Sequence, residues 1–188
     1  EGVDVAGVDE AGMSPLAGPV SAAAGVLRPG TRIPGGDDSK KLSAKKRALL
    51  ETEIKSRCQW AVGIAEVEEI DRINILQATM LAMTRAVEAL GVEPRKVMVD
   101  GNRLPRWRYV AEAVIGGDAI HPCISAASII AKEHRDRLMR IYDLTYPGYG
   151  WASNKGYGSA LHMQALRELG ATPLHRRSFA PVAQLEIL

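Results

Sequence analysis

Short apolar runs that alternate with amphipathic stretches predict a mixed α/β domain. Five runs have the length and residue types of strands, and they cover residues 3–9, 19–27, 60–67, 96–100 and 109–115. The early strands can form an antiparallel meander, whereas the later strands are reached through helical crossovers. The pattern therefore predicts a mixed five-stranded sheet flanked by helices.

Four further stretches have helical periodicity, namely residues 44–57, 74–90, 125–142 and 159–169. Ser43 is a suitable N-cap for the first helix, and Gly91 ends the second. A loop rich in proline and glycine, residues 147–158, precedes the last helix, and an extended tail follows it. Because no repeat or long linker divides the chain, we expect one domain over residues 1–188.

The composition is that of an ordinary globular protein. Of the 188 residues, 46% are hydrophobic and 24% are charged, which excludes a disordered chain. The longest small apolar run, residues 20–27, is too short to span a bilayer, and no secretory signal opens the sequence. Cys58 and Cys123 have neither metal-ligand spacing nor a disulfide framework. We therefore expect a cytoplasmic protein with reduced thiols and no membrane partner.

The distribution of charged residues along the chain is more informative than the net charge. A net charge of +2 does not by itself indicate a nucleic-acid partner. The basic residues are nevertheless clustered, and each cluster is either a solvated helix face or a surface for a phosphate backbone. The clusters comprise Lys40 and Lys41 with residues 45–47; Arg103, Arg106 and Arg108; residues 132–140; and residues 175–177.

Acidic side chains follow three of the apolar runs: Asp9 and Glu10 the first, Asp100 the fourth and Asp118 the fifth. Each acid alone fits a turn or a helix cap. Together at neighbouring strand ends, the four charges would repel one another and require cations. An all-oxygen ligand set favours Mg²⁺ or Mn²⁺ over zinc. Two such ions can support displacement at a phosphodiester, which leaves a nuclease, a polymerase and a phosphatase open.

An ordered set of motifs over nearly the whole chain resembles the type 2 ribonuclease H (ribonuclease HII) family. A single block would be weak evidence, whereas the complete order is highly specific. The blocks are GVDEAG at 7–12, PLAGPV at 15–20, DSKKLS at 38–43, IDRINIL at 70–76, VDGN at 99–102, GD at 117–118, ISAASIIAK at 124–132, RDR at 135–137, NKGYG at 154–158 and HRRSF at 175–179.

The resemblance implies a ribonuclease H-like fold with a C-terminal helical extension from about residue 145. It implies that Asp9, Glu10, Asp100 and Asp118 are the catalytic residues and hold two ions, Mg²⁺ or Mn²⁺. The implied activity is hydrolysis of the RNA strand of RNA/DNA hybrids and cleavage at ribonucleotides embedded in duplex DNA, which leaves 5′-phosphate and 3′-hydroxyl ends. We expect a monomer, because the sequence shows no long heptad and no large repeated apolar face.

The resemblance also implies substrate-binding residues. Gly12, Met13 and Ser14 occupy the turn with which the family reads the ribose, and Tyr157 matches a tyrosine that packs beside the neighbouring sugar. Phosphate contacts are expected from the loop before the first helix and from scattered polar residues. These candidates are Ser39, Lys40, Lys41, Asn102, Lys155 and Arg177.

The ribose-reading turn departs from the family pattern, because Met13 and Ser14 stand where a basic residue and a second glycine are usual. The missing cation removes a phosphate contact worth about 1–3 kcal/mol. If the second glycine position requires positive φ, Ser14 adds a strain of about 1 kcal/mol. We therefore expect retained metal chemistry with weakened reading of an isolated ribonucleotide.

Two alternative functions stay open at this point. One is a hybrid-binding homologue without efficient turnover. The complete set of four carboxylates argues against it, since a like-charge cluster without a function is electrostatically costly. The other is a related metal-dependent nuclease of different specificity, against which the block around Tyr157 argues. Asp136, flanked by two arginines, is interpreted as a helix ion-pair residue and not as a metal ligand.

Overall fold

A five-stranded sheet with strand order β3-β2-β1-β4-β5 forms the centre of the molecule. The computed structural model describes residues 4–28, 30–31 and 42–187. The first three strands pair antiparallel, whereas β4 pairs parallel with β1 and β5 pairs parallel with β4. This arrangement confirms the predicted mixed sheet. The strands are β1 (Val5–Ala11), β2 (Val20–Leu27), β3 (Cys58–Ala65), β4 (Lys96–Asp100) and β5 (Ala111–Val114).

Helices cover both faces of this sheet. None of the helices in the described part of the chain is long and apolar enough to cross a membrane. The helices are α1 (Ala44–Arg57), α2 (Val67–Ile73), α3 (Ile75–Glu88), α4 (Gly117–Ile120), α5 (Pro122–Thr145), α6 (Trp151–Asn154), α7 (Ala160–Leu169) and α8 (Ala180–Ala183), and a 3-10 turn (Gln184–Ile187) follows.

The alternation of β1 divides the core into two layers. Ala6 and Val8 are fully buried in the cluster that includes residues of α3. The intervening Gly7 faces α5, where a Cβ atom would lie 2.2 Å from the backbone carbon of Cys123. Glycine at this position therefore lets the long helix α5 lie directly on the strand that carries Asp9.

The helix α1 begins and ends where the sequence predicts, and the Ser43 side chain accepts a hydrogen bond from the Lys46 amide. The predicted third strand, by contrast, runs too far. Strand β3 ends at Ala65, and Val67 opens α2 with a reciprocal capping box between Glu66 and Glu69. This acidic helix start is a signal that alternation of apolar residues alone overlooks.

The C-terminal region also differs from its prediction. The short helix α6 lies within the predicted loop 147–158, and the tail forms α8 and the 3-10 turn where an extended segment is predicted. Phe179 supplies the N-cap position of α8, Pro181 lies in its first turn, and Val182 is fully buried. The tail folds because proline suits a helix start and because Val182 packs against Leu16 and Leu166.

Candidate active site

Three carboxylates meet at one edge of the sheet. One oxygen from each of Asp9, Asp100 and Asp118 lies within 4.8 Å of the others. Asp9 and Asp118 are buried, and Asp100 is half-buried. The three acids that the sequence places after separate strands are therefore brought together by the fold.

The strand register explains the meeting of these acids. Because β1 and β4 are parallel and Val8 pairs with Val99, Asp9 and Asp100 follow at the same end of neighbouring strands. Asp118 lies in the first turn of α4, and its amide donates to Asp100 Oδ1 at 3.2 Å. The Glu10 amide donates to Asp9 Oδ1 at 2.8 Å. Each of the two strand acids is therefore oriented by a backbone donor.

The environment of Asp9 disfavours its charged form. Burial raises the pKa of the Asp9 carboxyl well above its ordinary value, and the charges of Asp100, Glu10 and Asp118 raise it further. A cation bound among these oxygens would reverse this effect, since it would compensate the charges that now repel. The donor set consists only of carboxylate oxygens, which suits a hard divalent ion.

Glu10 is the predicted ligand that lies outside the three-carboxylate group of the described residues. Successive residues of a strand point to opposite faces, so Asp9 and Glu10 leave β1 in different directions. The charge of Glu10 nevertheless acts on Asp9, whose pKa it raises. The structure thus places Glu10 beside the cluster, and its role as a ligand stays a prediction.

The turn at residues 12–14, for which the resemblance predicts contact with the ribose, follows these acids directly. Gly12 has φ of +98°, and a Cβ atom there would lie 2.1 Å from Arg135 Nε. Met13 is half-buried against the core cluster that contains Ala6 and Val8, whereas Ser14 is exposed. In the described part of the chain, positive φ at non-glycine residues occurs at Asn74 and Lys155, and not at Ser14. The condition for strain at Ser14 is therefore not met.

Two buried arginines hold the backbone of this turn and of the residues that follow it. Arg135 of α5 donates to the carbonyl oxygens of Ala17, Pro19 and Lys155 at 2.7–2.9 Å. Arg176 donates to those of Gly12, Met13 and Gly18 at 2.6–3.0 Å, and to Pro19 at 3.3 Å. The sequence offers no signal for this role, because charged residues are rarely fully buried.

The burial of these arginines corrects the interpretation of two basic clusters. Within residues 132–140 and 175–177, Arg135 and Arg176 are neither solvated nor free to contact phosphate, since they are 2% and 0% exposed. The prediction for Asp136 is confirmed, because its carboxylate pairs with Lys132 at 3.4 Å.

The segment that carries Tyr157 is attached to the residues that follow this turn. The Leu16 amide donates to the Gly156 carbonyl at 2.8 Å, and Arg135 holds the Lys155 carbonyl. Tyr157 itself is 45% exposed. A backbone hydrogen bond therefore joins the Tyr157 segment to the chain just beyond the turn.

A buried histidine pair fixes the Tyr157 backbone further. His162 Nδ1 lies 2.8 Å from the Tyr157 carbonyl oxygen, and its Nε2 lies 3.0 Å from Nε2 of His175. Nδ1 of His175 accepts from the Thr172 amide at 2.9 Å. These contacts assign Nδ1–H to His162 and Nε2–H to His175, with both rings neutral. The sequence analysis did not identify His162, and it assigned His175 to a basic cluster, because a sequence does not show that a histidine is buried.

The predicted phosphate contacts are dispersed. Ser39, Lys40 and Lys41 lie outside the described residues. Asn102 is exposed just beyond β4, and Arg177 is exposed while its amide donates to Asp71 at 3.1 Å. The Lys155 ammonium group contacts the Ala152 carbonyl oxygen of the preceding helix α6.

The chain is similar in sequence and in fold to known proteins. Residues 6–182 match the family model described as Ribonuclease HII. The chain is 67% identical over 184 residues to ribonuclease HII of Sphingopyxis alaskensis, with 98% of this chain and 92% of that protein covered. Ribonuclease H2 from Pyrococcus horikoshii has a crystal structure with a TM-score of 0.81 at 27% identity, with 98% and 97% of the two chains covered. Bst-RNase HIII in complex with Mn²⁺ shares the fold, with a TM-score of 0.71 at 19% identity and coverage of 98% and 70%.

Proposed function

The chain belongs to the ribonuclease HII family, and we propose that it is an endoribonuclease that acts on RNA/DNA hybrids and on ribonucleotides embedded in duplex DNA. The observation that carries this proposal is the group formed by Asp9, Asp100 and Asp118 beside the turn at Gly12. In this arrangement, carboxylates that suit metal-assisted hydrolysis of a phosphodiester lie next to backbone groups that suit contact with a sugar.

The proposed reaction is hydrolysis that leaves 5′-phosphate and 3′-hydroxyl ends. Asp9, Asp100 and Asp118, together with Glu10, would hold two divalent ions, Mg²⁺ or Mn²⁺. The ions would supply positive charge at the phosphate and a lowered pKa for the attacking water. One oxygen of Asp9 and one of Asp100 accept amide hydrogen bonds, which fixes each carboxylate plane and leaves its second oxygen for ligation.

Substrate choice requires detection of a 2′-hydroxyl group, which is both a donor and an acceptor. Backbone groups of Gly12, Met13 and Ser14 are proposed to supply this contact, with Tyr157 beside the neighbouring sugar. The proposal is supported by hydrogen bonds that join the Tyr157 segment to Arg135 at Lys155 and to Leu16, just beyond the turn, at Gly156. Phosphate contacts by Ser39, Lys40, Lys41, Asn102, Lys155 and Arg177 stay predictions.

Weakened reading of an isolated ribonucleotide is part of the proposal, and only one of its two predicted causes is retained. Ser14 does not have positive φ, so no strain of that kind distorts the turn. The remaining cause is the side chain of Met13, which packs against the core and offers no cation to a phosphate.

One assay tests the proposed function. Purified protein is incubated with an RNA/DNA hybrid, a duplex with one ribonucleotide and an all-DNA duplex, each with Mg²⁺, Mn²⁺ or a chelator. We expect metal-dependent cleavage of the first two only. Hybrid binding without cleavage would favour the inactive homologue instead, and cleavage of all-DNA duplex would favour the nuclease of different specificity.

Two further properties stay predictions, namely that the protein is a monomer and that it acts in the cytoplasm. Sedimentation would measure the oligomeric state.

A further inference from the structure

Arg176 makes an unusual set of contacts with the ribose-reading turn. Its side chain is fully buried, and its three nitrogens all donate to backbone carbonyl oxygens. Nη2 lies 2.6 Å from the Gly12 oxygen, and Nη1 lies 3.0 Å from the Met13 oxygen. The guanidinium carbon lies 5.0 Å from the centre of the Phe179 ring, which covers its face.

These contacts determine the direction of the neighbouring amides. In a trans peptide, the carbonyl of one residue and the N–H of the next point in opposite directions. The Gly12 carbonyl, held by Arg176, therefore turns the Met13 N–H away from the interior, and the Met13 carbonyl does the same for the Ser14 N–H. Among the described residues, neither N–H donates a hydrogen bond within the protein.

On the basis of the proposed function, we propose that Arg176 is the positioning residue that presents the Met13 and Ser14 amides to the 2′-hydroxyl of the substrate. The side chains at positions 13 and 14 need not form this contact. The turn can therefore lack the family's usual basic residue and second glycine while its backbone donors stay oriented.

The chemistry of the guanidinium group explains why arginine occupies this place. A planar fork with five N–H donors can satisfy several carbonyl oxygens at once, whereas an ammonium group offers three donors from one point. Burial, together with the charge of Arg135, lowers the pKa of Arg176 to about 9. The carbonyl dipoles of the turn compensate this buried charge, which ties the arginine and the turn into one unit.

The test compares three proteins that all carry Asp118→Asn, so that no cleavage is expected. One has Arg176→Lys, one has Arg176→Met, and the reference has Arg176 intact. The readout is the ratio of dissociation constants for an all-DNA duplex and for the same duplex with one ribonucleotide. We expect both variants to lose about tenfold or more of this preference, which corresponds to the loss of one good contact. Arg176→Lys is expected to retain more of the preference than Arg176→Met.

Ile54→Ala is the matched control for stability. Ile54 lies on α1, is 1% exposed and packs with residues of α5 in a cluster that does not include residues 12–14. It is expected to lower the melting temperature and to leave the binding preference unchanged. Folded Arg176 variants that bind with the preference of the unchanged chain would overturn the proposal.

A measurement on the Asp118→Asn chain with Arg176 intact keeps the proposal testable if the Arg176 variants do not fold. Amide NMR signals of Met13 and Ser14 should shift on addition of the duplex with one ribonucleotide and stay in place with the all-DNA duplex. Equal shifts with both duplexes would contradict the inferred role. If the Asp118→Asn chain with Arg176 intact has no preference for the duplex with one ribonucleotide, the proposed function itself is contradicted. This outcome is distinct from one that contradicts only the role of Arg176.

Discussion

The Nε2 atoms of His162 and His175 lie 3.0 Å apart, and both imidazoles are fully buried. Only one proton can lie between these two atoms, and Nδ1 of His175 already accepts from Thr172. A second proton on His175 would face that amide donor at Nδ1, where the Thr172 hydroxyl oxygen lies 3.0 Å away. Burial and the amide donor therefore make protonation of the pair unfavourable in the folded state.

This relationship predicts loss of stability in mild acid. Burial lowers the pKa of His175 from 6.5 to about 4 and also lowers that of His162. Between these two pH values the unfolded chain binds more protons than the folded chain, so stability falls as the pH falls through this window. The contribution from His175 is about 3 kcal/mol. Urea denaturation at pH 7, 5.5 and 4 measures it.

His175→Asn is the control for this pH dependence, because an amide oxygen can replace Nδ1 as the acceptor for Thr172. The variant is expected to be less stable at pH 7 and to show a shallower decline toward pH 4. An equally steep decline in the variant would assign the effect to the carboxylates that titrate in the same range.

Asp9→Asn is predicted to abolish cleavage and to stabilise the protein in the absence of metal. The substitution removes a buried charge that burial and neighbouring acids disfavour, while an amide oxygen can still accept from the Glu10 amide. We expect the melting temperature in chelator to rise by a few degrees. Asp4→Asn, at an exposed position before the same strand, should change neither property. Undiminished cleavage by Asp9→Asn would refute the assigned site.

Glu10→Gln tests whether the fourth acid takes part in the metal site from its position beside the cluster. We expect slower cleavage and a higher Mn²⁺ concentration for half-maximal activity, because the variant removes a negative charge that acts on Asp9. A metal titration of cleavage measures both effects. An unchanged titration curve would restrict the site to Asp9, Asp100 and Asp118.

Gly12→Ala is predicted to lower the free energy of unfolding by more than the cost of positive φ alone. The positive φ costs about 1 kcal/mol for a non-glycine residue, and the added Cβ would also lie 2.1 Å from Arg135 Nε. Gly170 has φ of +80° with no atom of the described residues within 4 Å of its Cβ position. Gly170→Ala therefore measures the conformational part, and equal melting temperatures of the two variants would exclude the contribution of Arg135.

Met13→Arg and Ser14→Gly separate the two departures of the turn. Met13→Arg should increase cleavage at a single ribonucleotide relative to a hybrid, since its stem can stay against the core while its charge reaches a phosphate. Ser14→Gly should give no gain, because Ser14 does not have positive φ. Steady-state kinetics on the two substrates measure the ratio. A gain from Ser14→Gly alone would restore strain as the cause.

The sequence predicted the sheet and the positions of the acids because these features have local signals. Apolar runs that end in Asp9 and Asp100 mark strands whose carboxyl ends carry polar groups, and Ser43 marks a helix start. The start of α2 at Glu66 also has a local signal, in its capping box, which strand alternation obscured. Such features are determined by neighbours in the chain.

The environment of the turn was decided only by the tertiary structure. Arg176 lies 164 residues from Gly12 in the chain, yet the two are hydrogen-bonded, and His162 and His175 meet through packing of the C-terminal region. A buried arginine and a solvated arginine look alike in a sequence, because burial depends on which distant carbonyl oxygens the fold brings within reach. The sequence by itself determined which acidic residues are candidates for the metal site. The fold decided which side chains hold the neighbouring turn, since hydrogen bonds between distant segments form only when the sheet and helices have packed.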